Sequence, residues 1–186
     1  MPPQQPDRLL DLVDDGLDFR AHWLDSGSIW RRNLIVARDG DKVAMVNERL
    51  LGTWRLISAV REEIPSGAKI ELFGPNPVGY LNYAPDGRML ALIVRGGRVR
   101  PAGTNATPGE AEALYRSMLS YGGTYAVDGN EVTHRVDIAW NQSWTGSTQT
   151  RTFAFEGERL HLTTPPSPDP TEGRMSVRRM VWERIA

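Results

Sequence analysis

The sequence predicts an all-β chain, an antiparallel up-and-down barrel of eight to nine strands with one inserted α-helix and an N-terminal extension. Three observations carry this. From about residue 50 the chain falls into short runs of alternating polarity. Three stretches, "YAPDGRML" (83–90), "AVDGNEVT" (126–133) and "FEGERLHL" (155–162), set Gly, Asp or Asn between two β-prone runs, which is hairpin chemistry. Only one segment, 107–123, breaks the pattern with helical spacing.

Taken in order, the expected strands cover 52–61, 69–73, 78–84, 88–95, 123–128, 131–140, 147–156, 159–164 and 174–185. The first opens on "RLLGTWRLISA" (49–59). A glycine inside a strand costs backbone entropy and packs nothing, so Gly52 marks a bend or a close backbone approach. From Trp54 onward, Trp54, Leu56, Ser58 and Val60 alternate with Arg55, Ile57, Ala59 and Arg61, which predicts a strand with the Trp54 face buried. Strands in meander order favour closure, because closure removes the edges that pair with neighbouring molecules.

The helical segment "TPGEAEALYRSMLSYGG" has Thr107 as N-cap, Pro108 at the first helical position and Glu110 at the capping-box position, with glycines at its end. Its apolar stripe, Ala111, Leu114, Tyr115, Met118 and Tyr121, follows the i, i+3, i+4, i+7 spacing. Such a stripe must dock on the outer wall or an open end of the barrel.

Residues 1–48 form the N-terminal extension and 49–186 the barrel domain. "MPPQQPDR" is Pro-rich and polar, 7–24 suits a short amphipathic helix, and 33–46 has hairpin character around Asp39-Gly40. Two readings of the extension stay open. It is an upstream extension of the reading frame ahead of Met45, or its 29–46 segment adds a hairpin to a sheet edge.

Composition narrows the function classes. With 22 basic and 23 acidic residues the net charge is −1, so no global field draws the chain to nucleic acid or anionic lipid. The absence of cysteine excludes disulfides, thiolate metal sites and a cysteine nucleophile. His22, His134 and His161 lack metal-ligand spacing, "FGPNPVG" (73–79) is followed by no helix and is no phosphate loop, and no cofactor motif is present. "VRGGRVRP" (94–101) is a single arginine-glycine copy without a stacking platform and reads as a solvated loop. The Asn105 and Asn141 sequons matter only in a secretory pathway. With no apolar run of signal-peptide or membrane-spanning length, the expectation is a soluble, cytoplasmic protein. The oligomeric state is left open, a homodimer included.

Several stretches together resemble the bacterial and fungal lipocalin-like domain family, a branch of the calycin barrels. They are "LLGTWRL" (50–56), "FGPNPVGYLNYAPDGRM" (73–89), "GGTYAVDGNEVTHRV" (122–136), Trp144 with Gly146, "RLHLTTPP" (159–166) and "VWERI" (181–185). The resemblance runs from about Arg49 to the C-terminus and implies a small β-barrel whose Gly-x-Trp tryptophan plugs one end under a basic side chain from a late strand. Gly52 and Trp54 then form the barrel floor, and Arg178, Arg179 or Arg184 supplies the covering cation.

The strand "EVTHRVDIAW" (131–140) places Val132, His134, Val136, Ile138 and Trp140 on one face and Thr133, Arg135, Asp137 and Ala139 on the other. The first set is expected inward. A histidine there suits general acid–base work or ligand orientation, and equally a buried imidazole bonded to a neighbouring strand. Trp140 and Trp144, flanking a bend, suit an aromatic wall at the mouth, with core packing as the competing role. Tyr80 and Tyr83 have opposite parity, and Tyr83 is expected in the lumen beside Leu81. Phe153 and Phe155 share parity with Arg151 and are expected inside with Leu160 and Leu162.

Two functions fit. One is a barrel binding a small hydrophobic or aromatic molecule, with His134, Val136, Ile138, Trp140, Trp144, Tyr83 and Phe153 as lining residues. The other, implied by the resemblance, is an isomerase or cyclase of a hydrophobic secondary metabolite, with His134 as candidate catalytic group. His134 is the only polar group with acid–base potential expected on the inward face, which favours binding. Barrels of this type host unrelated functions, so the site has to decide.

Overall fold

The computed structural model describes residues 37–39, 42–44, 48–168 and 173–185. The elements in chain order are β1 (Ala37–Asp39), β2 (Lys42–Ala44), β3 (Gly52–Glu63), β4 (Lys69–Glu71), β5 (Val78–Tyr83), β6 (Arg88–Val94), α1 (Pro108–Arg116), β7 (Met118–Asp128), β8 (Glu131–Ala139), β9 (Thr148–Glu156), β10 (Arg159–Thr163), β11 (Ser167–Pro168) and β12 (Met175–Arg184), with a 3-10 turn at Gln142–Trp144. β1 and β2 pair as the hairpin expected around Asp39-Gly40. The helix expected over 7–24 lies outside the described residues.

Eight antiparallel strands, β3, β5, β6, β7, β8, β9, β10 and β12, close into a barrel, because β12 pairs along β3 from Ser176↔Glu63 to Arg184↔Trp54. β4 and β11 are short additions beside β3 and β12. All three turn signals join neighbouring strands: β5 to β6, β7 to β8 and β9 to β10. Among the described residues no helix is long and apolar enough to cross a membrane.

The two ends of the barrel differ. At one end Trp54 is buried, donates from Nε1 to Leu50 O at 2.8 Å and lies under the Arg184 guanidinium, 4.3 Å from its ring centroid. Phe155 packs at 6.1 Å from Trp54 and is itself covered by Arg49 at 4.0 Å. Of the three candidate cations, Arg184 covers the floor. Gly52 has φ +114°, and a Cβ there would meet Arg184 Nη1 at 2.9 Å, so this backbone bends where the cation must pass. Leading into the opposite end are α1, the 3-10 turn and β11.

Three expectations are corrected. The helix stops at Arg116, and Met118 to Asp128 is strand. β6 needs a partner along its whole length, and β7 supplies it from Val94↔Met118 to Arg88↔Thr124. The glycines that looked like a helix stop sit in mid-strand: a Cβ on Gly123 would lie 1.9 Å from Arg135 O. The stripe docks only at its margin: α1 buries none of its residues fully, while Leu114 is partly buried and Tyr115 lies 6.3 Å from Trp140.

The second correction is the face of Ile138. Gly122 pairs with Ile138 but Gly123 pairs with Val136, so Asp137 is an extra residue, a β-bulge. Parity flips there. Val136 points in, whereas Ile138 is 65% exposed on the outer wall and Ala139 turns inward against the core. Asp137 meets Arg88 outside, at 2.8 Å. The third is analogous: Trp182 pairs with Leu56 and Val181 with Ser58, which leaves Ile57 extra on β3. Beyond it Ala59 is buried in place of Ser58 and Val60.

Candidate functional site

A cavity of about 710 Å³ occupies the barrel above the Trp54 floor. Its apolar wall comes from inward positions of β5, β6, β7 and β10: Leu81, Ala91, Ile93, Leu119 and Leu162. Phe73 and Pro165 from loops, Trp144 from the 3-10 turn and Pro168 from β11 also line it. Polar groups enter chiefly from β9 and β12 as Gln149, Arg151 and Arg178, and from β8 as His134.

His134 is 1% exposed and hydrogen-bonded at both ring nitrogens, Nε2 to Tyr83 Oη at 2.7 Å and Nδ1 to Tyr121 Oη at 2.9 Å. Burial, and secondarily the charge of Arg151, pushes its pKa down to about 3, so the ring is neutral at pH 7. Burial also raises the Tyr83 and Tyr121 phenols above their usual range, which keeps both protonated. A neutral imidazole has one donor and one acceptor. Tyr83 is fully buried, and His134 is the only hydrogen-bond partner of its hydroxyl among the described residues, so its proton must go to Nε2. The ring proton therefore sits on Nδ1 and is donated to Tyr121. This leaves the Tyr121 O–H as a donor on the cavity wall.

Arg151 is 8% exposed and donates from Nη1 to Thr150 O at 2.8 Å and from Nη2 to Gln149 Oε1 at 3.4 Å. Trp182 lines the cavity with its indole Nε1 buried and without a partner among the described residues. Among the described residues no Asp or Glu lines the wall. Among the described residues no cluster of His, Asp or Glu is arranged to hold a metal ion.

In sequence comparison the lipocalin-like domain model matches residues 51–185, which span all eight strands of the barrel. The chain belongs to the lipocalin-like domain family. Two solved structures are similar to this lipocalin-like chain. One is a lipocalin-like protein from Bacteroides uniformis ATCC 8492, at 12% identity and TM-score 0.40, covering 74% of this chain and 99% of that one. The other is an uncharacterized protein from Bacteroides eggerthii DSM 20697, at 12% identity and TM-score 0.36, covering 73% and 99%. No curated protein matches.

Within this lipocalin-like barrel the residues expected from the sequence separate into groups. His134 and Trp144 line the cavity. Tyr83, Val136 and Phe153 are buried on the inward face but belong to the core rather than to the cavity wall. Trp140 is half-buried outside the wall and joins Trp144, at 5.1 Å, to Tyr115 of α1, at 6.3 Å. Ile138 is on the outer face. Sequence reasoning missed Tyr121, read as helical, and the cavity roles of Arg178 and Trp182. A signal for the latter pair existed, since Arg178, Met180 and Trp182 share parity in the last strand and all three line the lumen.

Proposed function

We propose that this lipocalin-like chain binds a small hydrophobic or aromatic molecule in the barrel lumen. The observation that carries the reading is the cavity itself. Its volume of about 710 Å³ lies inside the range of roughly 300–1,000 Å³ usual for small-molecule sites, and its deep wall is apolar. His134 supports binding over acid–base chemistry. Both its nitrogens are engaged by tyrosines and its pKa lies far below neutrality, whereas a general base works best with a pKa near the operating pH. In this reading the histidine fixes the direction of the two hydroxyls.

The test is titration with N-phenyl-1-naphthylamine, a neutral dye that fluoresces in apolar surroundings. Saturable binding at micromolar concentration is expected. Ala91→Phe, which places a ring in the lumen, should abolish it, while Ile138→Phe on the outer wall should leave it intact. Equal loss in both variants, or equal retention, contradicts a lumen site.

A further inference from the structure

The polar part of the cavity wall is one-sided. Arg151 is a buried guanidinium whose protein partners, Thr150 O and Gln149 Oε1, are both uncharged. Among the described residues no carboxylate pairs with Arg151 or Arg178, and none lines the cavity. A buried cation without a counter-ion is unfavourable, and such groups are normally paired. The uncharged groups point the same way. The proton order Tyr83 to His134 to Tyr121 leaves the Tyr121 hydroxyl as a donor at the wall, and Trp182 Nε1, a donor only, is buried without an acceptor among the described residues. Two cations and two donors thus face one chamber whose other polar lining groups, such as Gln149 and Thr150, are uncharged.

What satisfies such a set is a negatively charged acceptor. We infer that the lumen ligand is an apolar monocarboxylate, its carboxylate held by Arg151 and the Tyr121 hydroxyl and its hydrocarbon or aromatic body lying against Leu81, Ala91, Ile93 and Leu119. This inference rests on the lumen-binding reading above and adds the charge of the ligand. A guanidinium takes a carboxylate through two parallel N–H donors, and the bond gains strength where water is excluded. The Tyr83–His134–Tyr121 chain has a positioning role: it aims one O–H at the carboxylate without adding a charge to the chamber. Arg151 is itself 8% exposed, and a purely ionic small molecule bound to it would leave the apolar wall unfilled.

The experiment compares 11-(dansylamino)undecanoic acid with its methyl ester on the full chain at neutral pH, two probes with the same fluorophore and hydrocarbon chain, one ending in a carboxylate and the other in a neutral ester. The acid should bind about tenfold or more tightly than the ester, as expected when a charge-assisted hydrogen bond is gained. Arg151→Met should abolish the preference for the acid over the ester, and Arg151→Lys should keep part of it. Equal affinity of acid and ester on the unaltered protein overturns the inference and leaves lumen binding standing, a comparison that needs no variant to fold. Binding of neither probe overturns both. A preference that survives Arg151→Met in a variant with a cooperative melt overturns the assignment of the head group to Arg151.

Discussion

Acidification from pH 7 to pH 5 is expected to destabilise the barrel through His134, and the size of the effect follows from its burial. The folded pKa is about 3 and the ordinary value is 6.5, so the shift is downward, with burial the larger cause and Arg151 the smaller. Above pH 6.5 both folded and unfolded chains hold the ring neutral, and it contributes nothing to the pH dependence. As the pH falls through 6.5 toward 3, the unfolded chain takes up a proton that the folded chain excludes. Stability is therefore lost with falling pH, at about 1.4 kcal/mol per unit once the unfolded ring is mostly protonated. Between pH 7 and pH 5 this amounts to about 2 kcal/mol from this residue alone. The assay is urea unfolding of the parent and of His134→Gln at pH 7, 6 and 5. Glutamine keeps a donor and an acceptor but does not titrate, and every other ionisable group is common to both chains. The parent should lose about 2 kcal/mol more than the variant over this interval. Equal slopes, or ring signals of His134 that titrate near 6.5 in the folded protein, refute a buried neutral histidine.

Other expectations follow from the floor and the extension. Trp54→Ala should cost about 3–5 kcal/mol, as for other large buried aromatics, because Trp54 is 1% exposed and its removal leaves a cavity between Phe155 and Arg184; a melt within a degree or two of the parent contradicts this. Arg184→Gln should cost roughly 0.5–2 kcal/mol by removing the cation over the indole face, read by the same melts, and no change would deny that contact a role. A chain beginning at Met45 should fold cooperatively, since all eight barrel strands lie after it; its aggregation in a gel-filtration and melting experiment would show that the preceding segment is needed.

The barrel was legible because its signals are local. Alternation, three turns and a Gly-x-Trp opening are written within a few residues of one another, and apart from the early start of β7 and the unexpected β11 the strands in the range 52–185 lie close to their expected places. The site was less legible because bulges are not written that way. One residue added at Asp137 turns Ile138 outward, and no property of "RVDIAW" distinguishes it from an unbroken alternation. The tyrosine that completes the network was hidden by a second ambiguity. Tyr121 continues the helical stripe of Leu114 and Met118 and equally suits a strand, and only the pairing demand of β6 decides between them. The inward parity of Arg151, by contrast, was legible, but its lack of a charged partner is a property of the whole chamber and of no single strand.

The central claim, that a small apolar molecule occupies the lumen, is tested most directly by the tryptophan indole N–H resonances of the protein during titration with N-phenyl-1-naphthylamine. Trp182 and Trp144 line the cavity, whereas the Trp54 indole N–H is bonded to Leu50 O at the closed floor. Saturable shifts of the Trp182 and Trp144 signals with Trp54 unmoved are expected. Shifts confined to Trp140 or the remaining tryptophans, with Trp182 unchanged at saturation of the dye, would place the molecule elsewhere and contradict the account.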